Sequence, residues 1–403
     1  MSDYVAEAKE IERDLIAWRR DLHRHPELGF AEVRTAGIIA RHLSELGLKV
    51  QTGVGRTGVV GLLEGTSPLF PKGTWETEGG PVVLLRFDMD ALPITEENAT
   101  DYISQTPGVM HACGHDGHVA IGLGVATLLA RHRSKLSGSV KFVFQPAEEG
   151  MGGAVEMIKD GALHALTPRP NVALGLHIFN QLPLGLVAAG EGPVMAAAER
   201  FHCIVTGRGG HGAMPHQTVD AVVVAAQIVT ALQTVVSRNV DPAEPAVVSV
   251  GSLHAGSAFN IIAEQAELWG TIRTFDAATR QMVLRRVREI VEGTAHMLGA
   301  SAQLEIEELT IAVVNDVAAS ARVREAAARV VGAEHVSAQQ RWMASEDMSY
   351  FLREVGGCFF FLGGARHPSE FPHHNPRFDF DEGVLSQGVA VLCETAASYL
   401  RKV

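Results

Sequence analysis

The sequence predicts an α/β protein with a mostly parallel sheet and an inserted α+β segment. Apolar strand-like runs alternate with helix-like segments in the first half, polar side chains directly follow several of those runs, and the pattern changes near Phe201. Strands that alternate with helices are typical of a parallel sheet covered by helices. The 403 residues exceed the size at which one hydrophobic core usually stops growing, so we expect more than one domain.

The segment before Asp88 predicts two helices followed by two strands. Apolar residues recur at helical spacing over 11–25 and again over 31–46, and the first pattern stops at a proline and the second at a glycine. The continuous apolar runs 59–63 and 82–87 predict buried strands. The connection between them is rich in proline, glycine and serine and predicts a surface loop or a wide hairpin.

The same alternation continues beyond these strands. A helix is predicted over 117–132 and a strand over 140–144, and the apolar runs 172–176 and 359–362 predict two further buried strands. Loops that follow the carboxyl ends of such strands are where open α/β sheets place their sites.

From about Phe201 the sequence predicts an α+β insertion. The predicted elements are alternating strands with long helices over 219–237 and 277–298 and strands over 246–253 and 266–275. We therefore expect 1–192 and 309–403 to form one domain and 193–308 to form a second, of ordinary domain size.

Composition and charge exclude several function classes. A formal net charge of −12 without a long basic cluster argues against nucleic acid or an anionic membrane surface as a partner. Neither an export signal nor a membrane span is predicted, since the most apolar helix-length segment is interrupted by polar residues. The four scattered cysteines indicate a reducing compartment, and we expect a cytoplasmic protein.

Two short motifs carry the chemistry. Cys113 and His115 stand two residues apart, so in an extended segment both side chains point to the same side, as two ligands of one metal site require. Glu148 and Glu149 are adjacent and cannot both face one ion from an extended backbone. One carboxylate is therefore expected to bind metal while the other handles protons.

The chain contains enough ligands for two metal ions, which need a bridging group, terminal ligands and a base for water. We expect Cys113 to bridge as a thiolate and Glu148 to act as the base. The expected terminal ligands are His115, Glu149, His177 and His374. A lone cysteine is more often a small buried hydrophobe than a ligand, and it is the joint occurrence of the two motifs that predicts the site. Thiolate, imidazole and carboxylate favour zinc, with manganese, cobalt or nickel as alternatives.

These motifs, together with three others, resemble a known family. The others are RRDLHRHPE over 19–27, DMDALP over 88–93 and GRGGHG over 207–212. In this order and spacing, from about Arg19 to Glu382, the chain resembles the aminoacylase and carboxypeptidase family of di-metal peptidases. The most similar branch contains hippurate hydrolases, N-acyl-amino-acid amidohydrolases and plant hydrolases of indole-acetyl amino acids.

The resemblance implies roles for individual residues. Asp88 stands where many relatives carry a metal-binding histidine, and in this branch His115 is taken to supply the missing imidazole. Cys113 replaces a bridging aspartate. Asp90 is then expected to be the carboxylate that orients an imidazole ligand.

For the inserted segment the resemblance implies a lid domain that also forms the interface of a homodimer or a homotetramer. His211 is expected to reach the neighbouring subunit's site and to polarise the scissile carbonyl, as an oxyanion donor does. Asn260 and Arg273 are expected to bind the carboxylate of the substrate, a task for which the planar guanidinium is well shaped.

The function implied by the resemblance is metal-dependent hydrolysis of N-acyl amino acids to a carboxylic acid and a free amino acid. Two alternatives remain at this stage. One is a metal-dependent dipeptidase or carboxypeptidase. The other is a binding protein that holds acyl amino acids or peptides in a metal-containing cleft without cleaving them.

Overall fold

A computed structural model of the chain describes residues 3–66, 80–166, 169–365 and 371–401. The chain divides into two compact units. The first contains the residues up to Gly192, Val314–Arg341 and the residues from Asp347 onward, and the second contains Pro193–Val313 and Trp342–Glu346. The insertion of the second unit explains why the α/β pattern stops near Phe201 and resumes later.

The helices and strands are numbered in chain order. Up to Gly192 they are α1 (Tyr4–Glu10), α2 (Glu12–Arg24), α3 (Val33–Glu45), β1 (Lys49–Val54), β2 (Gly58–Glu64), β3 (Val82–Asp88), α4 (His115–Arg131), β4 (Ser139–Gln145), α5 (Gly153–Lys159), β5 (Val172–Pro183) and β6 (Val187–Ala188). The following elements are β7 (Gly192–Met195), β8 (Ala197–Thr206), β9 (Gly210–His211), α6 (Ala221–Asn239), β10 (Ala246–Ala255), β11 (Ile261–Ile262), β12 (Gln265–Thr274), α7 (Ala277–Met297), β13 (Ser301–Thr310) and β14 (Val313–Asn315). The last elements are α8 (Val317–Val331), β15 (Val336–Ser337), α9 (Met348–Val355), β16 (Gly357–Ala365) and α10 (Val384–Leu400).

The first unit is built around an eight-stranded sheet with the order β1-β2-β4-β3-β5-β16-β6-β15. The central pairs β4-β3, β3-β5 and β5-β16 are parallel, whereas β1-β2 and β2-β4 are antiparallel. The predicted mostly parallel sheet is therefore confirmed. Of the two alternatives predicted for the connection between β2 and β3, a surface loop or a wide hairpin, the hairpin is wrong, because β4 lies between β2 and β3 in the sheet. Residues 67–79 of that connection lie outside the described residues.

Helix α4 occupies the core of the first unit. Fourteen of its residues are buried, and it packs against β3 and against helices α2 and α10. A helix that is apolar on all sides must be covered on all sides. Its glycines permit close approach: a Cβ on Gly122 would meet Phe144 at 2.7 Å.

Helix boundaries differ from the predictions for local reasons. The helix predicted over 11–25 is α2, and a further short helix that was not predicted, α1, precedes it and ends one residue before Ile11. Helix α6 begins one residue after Asp220, whose carboxylate accepts the N–H groups of Val222 and Val223. Such side-chain capping satisfies N–H groups that have no partner within the helix, and it fixes the first residue.

The second unit has a four-stranded antiparallel sheet with the order β10-β12-β8-β13 and two long helices, α6 and α7. Among the described residues α6 alone is long and apolar enough to cross a membrane by length and composition. Its buried residues Val224, Ile228, Leu232 and Val235 belong to the core of this unit. A core helix passes the same test of length and composition, and the packing is that of a core helix.

Candidate metal centre

The candidate metal centre is at the carboxyl ends of neighbouring parallel strands. Asp88 ends β3 opposite Gln145, which ends β4, and Glu148 and Glu149 follow three and four residues later. His177 lies on the next strand, β5, which continues to Pro183 and is longer than predicted. The parallel register therefore places residues from distant parts of the sequence at one edge of the sheet.

Cys113 and His115 lie at the start of a helix and not in an extended segment. Gly114 has φ +93° and precedes His115, the first residue of α4. This positive φ is accessible to glycine at little cost, and it turns the chain into the helix. The prediction that both side chains project from an extended backbone is thus wrong, yet their ligand atoms still lie within 4.8 Å of each other.

The His115 ring is held by one nitrogen and open at the other. Its Nδ1 lies 2.9 Å from the main-chain oxygen of Asp90, so Nδ1 carries the proton and donates it. Among the described residues its buried Nε2 has no hydrogen-bond partner, and it lies 4.0 Å from Oε2 of Glu148. A histidine that donates through one nitrogen and presents the other is oriented as a metal ligand.

His177 has the same arrangement. Its Nδ1 donates to the main-chain oxygen of Ile178 at 2.7 Å, which leaves the lone pair on Nε2. That Nε2 lies 3.5 Å from Sγ of Cys113. The two groups are close enough to share an ion.

The two glutamates lie on a tight turn. Ala147 has φ +54°, an uncommon conformation for a residue with a Cβ, and it directly precedes Glu148. The N–H of Glu149 donates to Oδ2 of Asp90 at 3.0 Å, so Asp90 contacts both the His115 ring and the glutamate turn. Oε1 of Glu149 lies 3.1 Å from Nε2 of His374.

Cys113 is common to two groups of ligand atoms, each within 4.8 Å. One group is Cys113, His115 and Glu149, and the other is Cys113, His177 and His373. The structure thus brings together the five residues that the sequence singles out as ligands: Cys113, His115, Glu149, His177 and His374. Glu148 lies beside them, and 9% of its surface is exposed.

Sequence reasoning missed His373, the neighbour of His374. Its Nδ1 lies 3.7 Å from Sγ of Cys113, while its Nε2 accepts the N–H of Asn180 at 3.3 Å. Burial, followed by the nearby His374, lowers the pKa of His373 to about 3. The signal that could have found it is the doubled histidine in HHNP over 373–376, of which only the second was expected to be a ligand.

Sequence reasoning also missed the network around Asp88. The Asp88 carboxylate accepts from Arg86 at 2.7 Å and from Nδ1 of His118 at 2.5 Å. Nε2 of His118 in turn accepts the N–H of Ile178 at 2.8 Å. Both nitrogens of His118 are therefore used. The ligand atoms of Asp88, His115 and His118 lie close enough to form a metal-binding group, but Asp88 and both nitrogens of His118 already bond to protein groups.

The electrostatics of this edge favour a cation. Burial acts to lower the pKa of His115, but the carboxylates of Asp88, Asp90 and Glu149 raise it to about 10. Burial raises the pKa of the Cys113 thiol well above its usual value, and Glu149 and Glu148 add to this effect. Several carboxylates in a site shielded from water need positive charge, and divalent cations supply it. The open Nε2 of His115 and the mixed S, N and O donors match a metal site.

Three predicted residues lie in the second unit. His211 on β9 pairs with Ile261, and the N–H of Gly212 donates to the main-chain oxygen of Asn260 at 2.8 Å, so His211 and Asn260 are neighbours. His211 is exposed, and its Nδ1 accepts the N–H of Ala213 at 3.0 Å. Arg273 is half-buried, and burial lowers its pKa.

Comparison with known proteins gives the family. The model of Peptidase family M20/M25/M40 matches residues 84–398. The chain belongs to this family. It is 44% identical over 299 residues to the N-acyl-L-amino acid amidohydrolase of Geobacillus stearothermophilus, covering 74% of this chain and 77% of that protein. It is 36% identical to thermostable carboxypeptidase 2 of Saccharolobus solfataricus over 405 residues, covering 98% of both chains.

Solved structures of the M20 family agree. The Bacillus subtilis YXEP protein, described as a dinuclear metal binding peptidase, superposes with a TM-score of 0.83 at 34% identity, covering 97% of this chain and 99% of that one. M20 amidohydrolases and peptidases are hydrolases that act on amide bonds, and this chain is one of them. Membership confirms the predicted resemblance and opposes the alternative of a non-catalytic binding protein.

Proposed function

We propose that the protein is a metal-dependent amidohydrolase that cleaves N-acyl amino acids to a carboxylic acid and a free amino acid. The observation that carries the proposal is the buried carboxylate of Glu148, which lies beside a mixed set of sulfur, nitrogen and oxygen donors around Cys113. Hydrolysis of an amide needs a base for water and an acid for the leaving nitrogen. The N-acyl-L-amino acid amidohydrolase among the relatives gives the substrate class.

In this proposal two divalent cations, zinc in preference to manganese, cobalt or nickel, are held by Cys113, His115, Glu149, His177 and His374. When bound, such cations lower the pKa of water and polarise a carbonyl group. The main-chain oxygen of Asp90 accepts a hydrogen bond from Nδ1–H of His115, which keeps the proton on Nδ1 and leaves Nε2 for the metal.

Glu148 is the proposed proton carrier. Its carboxylate accepts a proton from the attacking water and delivers it to the amide nitrogen as the carbon–nitrogen bond breaks. The low exposure of Glu148 limits competition from bulk water. Its neighbour Glu149 is engaged with His374 at 3.1 Å, which supports dividing the two roles in this way.

The second unit is proposed to bind the rest of the substrate. His211 is proposed to reach the neighbouring subunit's site and to donate there from Nε2 to the developing oxyanion, because its Nδ1 already accepts the N–H of Ala213. Asn260 and Arg273 would bind the α-carboxylate. The proposal includes a homodimer formed through this unit, which is supported by exposed apolar residues such as Phe259, Ile261 and Val223. The four free cysteines support a cytoplasmic location.

A substrate screen tests the proposal. N-acetyl, benzoyl, indole-acetyl and succinyl amino acids are incubated with the protein and each of several divalent metals, and the released amino acid is measured. Each N-acyl amino acid is paired with its methyl ester as a control. Release from the free acid but much less from the ester is expected if a cation such as Arg273 binds the α-carboxylate.

The second candidate is a carboxypeptidase or dipeptidase, which is favoured by the 36% identity to thermostable carboxypeptidase 2. The same assay separates the two activities when each N-acetyl amino acid is run beside the matching free dipeptide. Hydrolysis of the dipeptide alone would replace the proposed function with this one.

A further inference from the structure

Glu32 is a buried carboxylate that no step of the proposed reaction uses. Its side chain is fully buried although it stands at the N-terminus of α3, where a glutamate usually reaches solvent. It does not cap its own helix, because Glu27 accepts the N–H groups of Arg34 and Thr35 at 2.9 and 2.8 Å. The Glu32 carboxylate is therefore free to act elsewhere.

The partners of Glu32 lie on the turn that carries the two glutamates of the site. Oε1 of Glu32 accepts the N–H of Ala147 at 2.9 Å, and Oε2 accepts the hydroxyl of Thr57 at 2.6 Å. The Thr57 bond fixes the rotation of the carboxylate. The Ala147 bond connects α3 to the residue directly before Glu148.

Ala147 needs such an anchor. Its φ of +54° is disfavoured for any residue with a Cβ and persists only where the surroundings impose it. Its main-chain oxygen accepts the N–H of Gly153 at 3.0 Å, so both sides of this residue are held. On the other side of Glu148, the N–H of Glu149 is held by Asp90 at 3.0 Å. Glu148 thus lies between Ala147 and Glu149, whose N–H groups both donate to buried carboxylates.

The neighbouring packing restricts the same turn. A Cβ on Gly29 would meet Sδ of Met151 at 2.9 Å and Cβ of Ala147 at 3.0 Å, so the 29–32 segment lies directly against the 147–151 turn. This contact resists movement of the turn toward α3. It cannot replace the directional bond from Glu32 to the Ala147 N–H.

We propose that Glu32 is a positioning residue that imposes the left-handed conformation of Ala147 and thereby aims Glu148 at the substrate. The inference rests on the proposed function for its kinetic consequence, but its structural consequence is independent of activity. Positioning by hydrogen bonds requires a side chain long enough to reach both Ala147 and Thr57, with an acceptor oxygen facing the Ala147 N–H. If the negative charge of Glu32 were required instead, a shorter side chain with the same charge would suffice. Substitutions that keep either the charge or the length of the side chain therefore distinguish the two roles.

The decisive comparison is Glu32→Asp against Glu32→Gln in the metal-loaded enzyme. Asp keeps the charge but is one methylene too short to reach both Ala147 and Thr57. Gln keeps the reach, since its amide oxygen can accept from Ala147 and its NH₂ can donate to Thr57. Misplacement of a reacting group on the order of 1 Å costs up to about 100-fold in rate. We expect E32D to lower kcat roughly 10- to 100-fold, with KM changing less, and E32Q to stay within about threefold of the wild type.

Hydrogen exchange gives the readout that does not depend on activity. E32D should speed amide exchange in peptides that cover 146–150, and E32Q should not. The matched control is E45D, a substitution at an exposed residue of the same helix, which should change neither readout. If E32D fails to fold, T57V removes one bond of the same carboxylate. It should then slow turnover by a smaller factor and speed exchange at Ala147.

The outcomes are distinct. A turnover loss in E32Q equal to that in E32D would show a need for charge and would overturn the proposal, as would wild-type kcat and exchange in E32D or, where that variant does not fold, in T57V. If the wild type hydrolyses no N-acyl amino acid, the proposed function fails. The exchange comparison then decides the role of Glu32 alone, and unchanged exchange in E32D overturns it.

Discussion

Nδ1 of His118 lies 2.5 Å from Oδ1 of Asp88, and this bond distinguishes His118 from His115, the other histidine at the start of α4. His115 and His118 are three residues apart, so they share a helix face, and their rings stack with centroids 5.5 Å apart. Nε2 of His118 accepts from Ile178, whereas Nε2 of His115 is open among the described residues. Asp88 therefore binds protein groups, and Nε2 of His115 remains available for metal.

Metal content should respond differently to substitution of the two histidines. H115N is expected to lose about one of the two proposed ions per subunit, because it removes a donor with no other partner. H118Q is expected to keep its metal and to lose about 1–3 kcal/mol of stability, because the Asp88 carboxylate and the Ile178 N–H lose a partner. Elemental analysis of the purified variants measures this. Equal metal loss in both would contradict the assignment.

Substitutions of the two adjacent glutamates, Glu148 and Glu149, should also have different effects on turnover and metal content. E148Q is expected to lower kcat about 100- to 10,000-fold with metal content unchanged, because the amide cannot accept a proton from water. E149Q should instead weaken metal binding, since Glu149 belongs to the ligand cluster around Cys113. Turnover and metal content are measured on the same preparations. The reverse pattern would exchange the roles of the two residues.

The α/β class and the strand-end location of the site follow from short-range patterns in the sequence. Val82–Asp88 and Ser139–Gln145 are buried throughout or nearly so, and such apolar runs are visible in one dimension. Their sheet order is not visible. β4 lies between β2 and β3 although it follows both in the chain, because strand pairing depends on contacts between distant segments.

Individual site residues also differ in whether their roles can be predicted from the sequence. Cys113, His115, Glu148 and Glu149 occur as short motifs that the sequence displays directly. The role of Glu32 cannot be predicted from its surroundings in the chain, because its partner Ala147 is 115 residues away. His118 shows the opposite problem, because its spacing from His115 matches that of a second ligand on the same helix face. Its contacts with Asp88 on β3 and with the N–H of Ile178 on β5 reveal that both of its ring nitrogens are occupied.

Arg19 should be essential for the stability of the first unit. The fully buried guanidinium donates to Asp116 at 2.8 Å, to Asp379 at 2.7 Å and to Glu382 at 3.3 Å, so it connects the start of α4 to the segment after His374. R19M removes the guanidinium from the fully buried Asp116 carboxylate, which then keeps the His23 ring as a partner. A loss of roughly 3–5 kcal/mol is expected.

The control for Arg19 is R13M, at an exposed position of the same helix, which should change stability by less than about 0.5 kcal/mol. R19K should recover only part of the loss, because one ammonium group cannot match the planar guanidinium against three carboxylates. Urea unfolding midpoints measure all three variants. Full recovery in R19K would show that charge alone suffices.

Lys141 should make stability depend on pH in the alkaline range. It lies fully buried in β4, and its Nζ donates to the main-chain oxygens of Ala162 and Leu163 at 3.2 and 2.6 Å, with no carboxylate bond recorded among the described residues. Burial lowers the pKa of Lys141 from 10.5 to about 8. Between these values the folded chain binds fewer protons at this residue than the unfolded chain does. Unfolding then takes up a proton, and raising the pH stabilises the fold.

The contribution of Lys141 should rise by on the order of 2 kcal/mol from about pH 8 to pH 10.5. It is measured as the difference in unfolding free energy between the wild type and K141M at a series of pH values. K159M is the matched control, because Lys159 is exposed and, within the part of the chain that the structure describes, forms an ion pair with Glu156 on its own helix. The wild-type to K159M difference should stay nearly flat. A flat difference for K141M as well would mean that Lys141 remains protonated in the folded protein throughout this range.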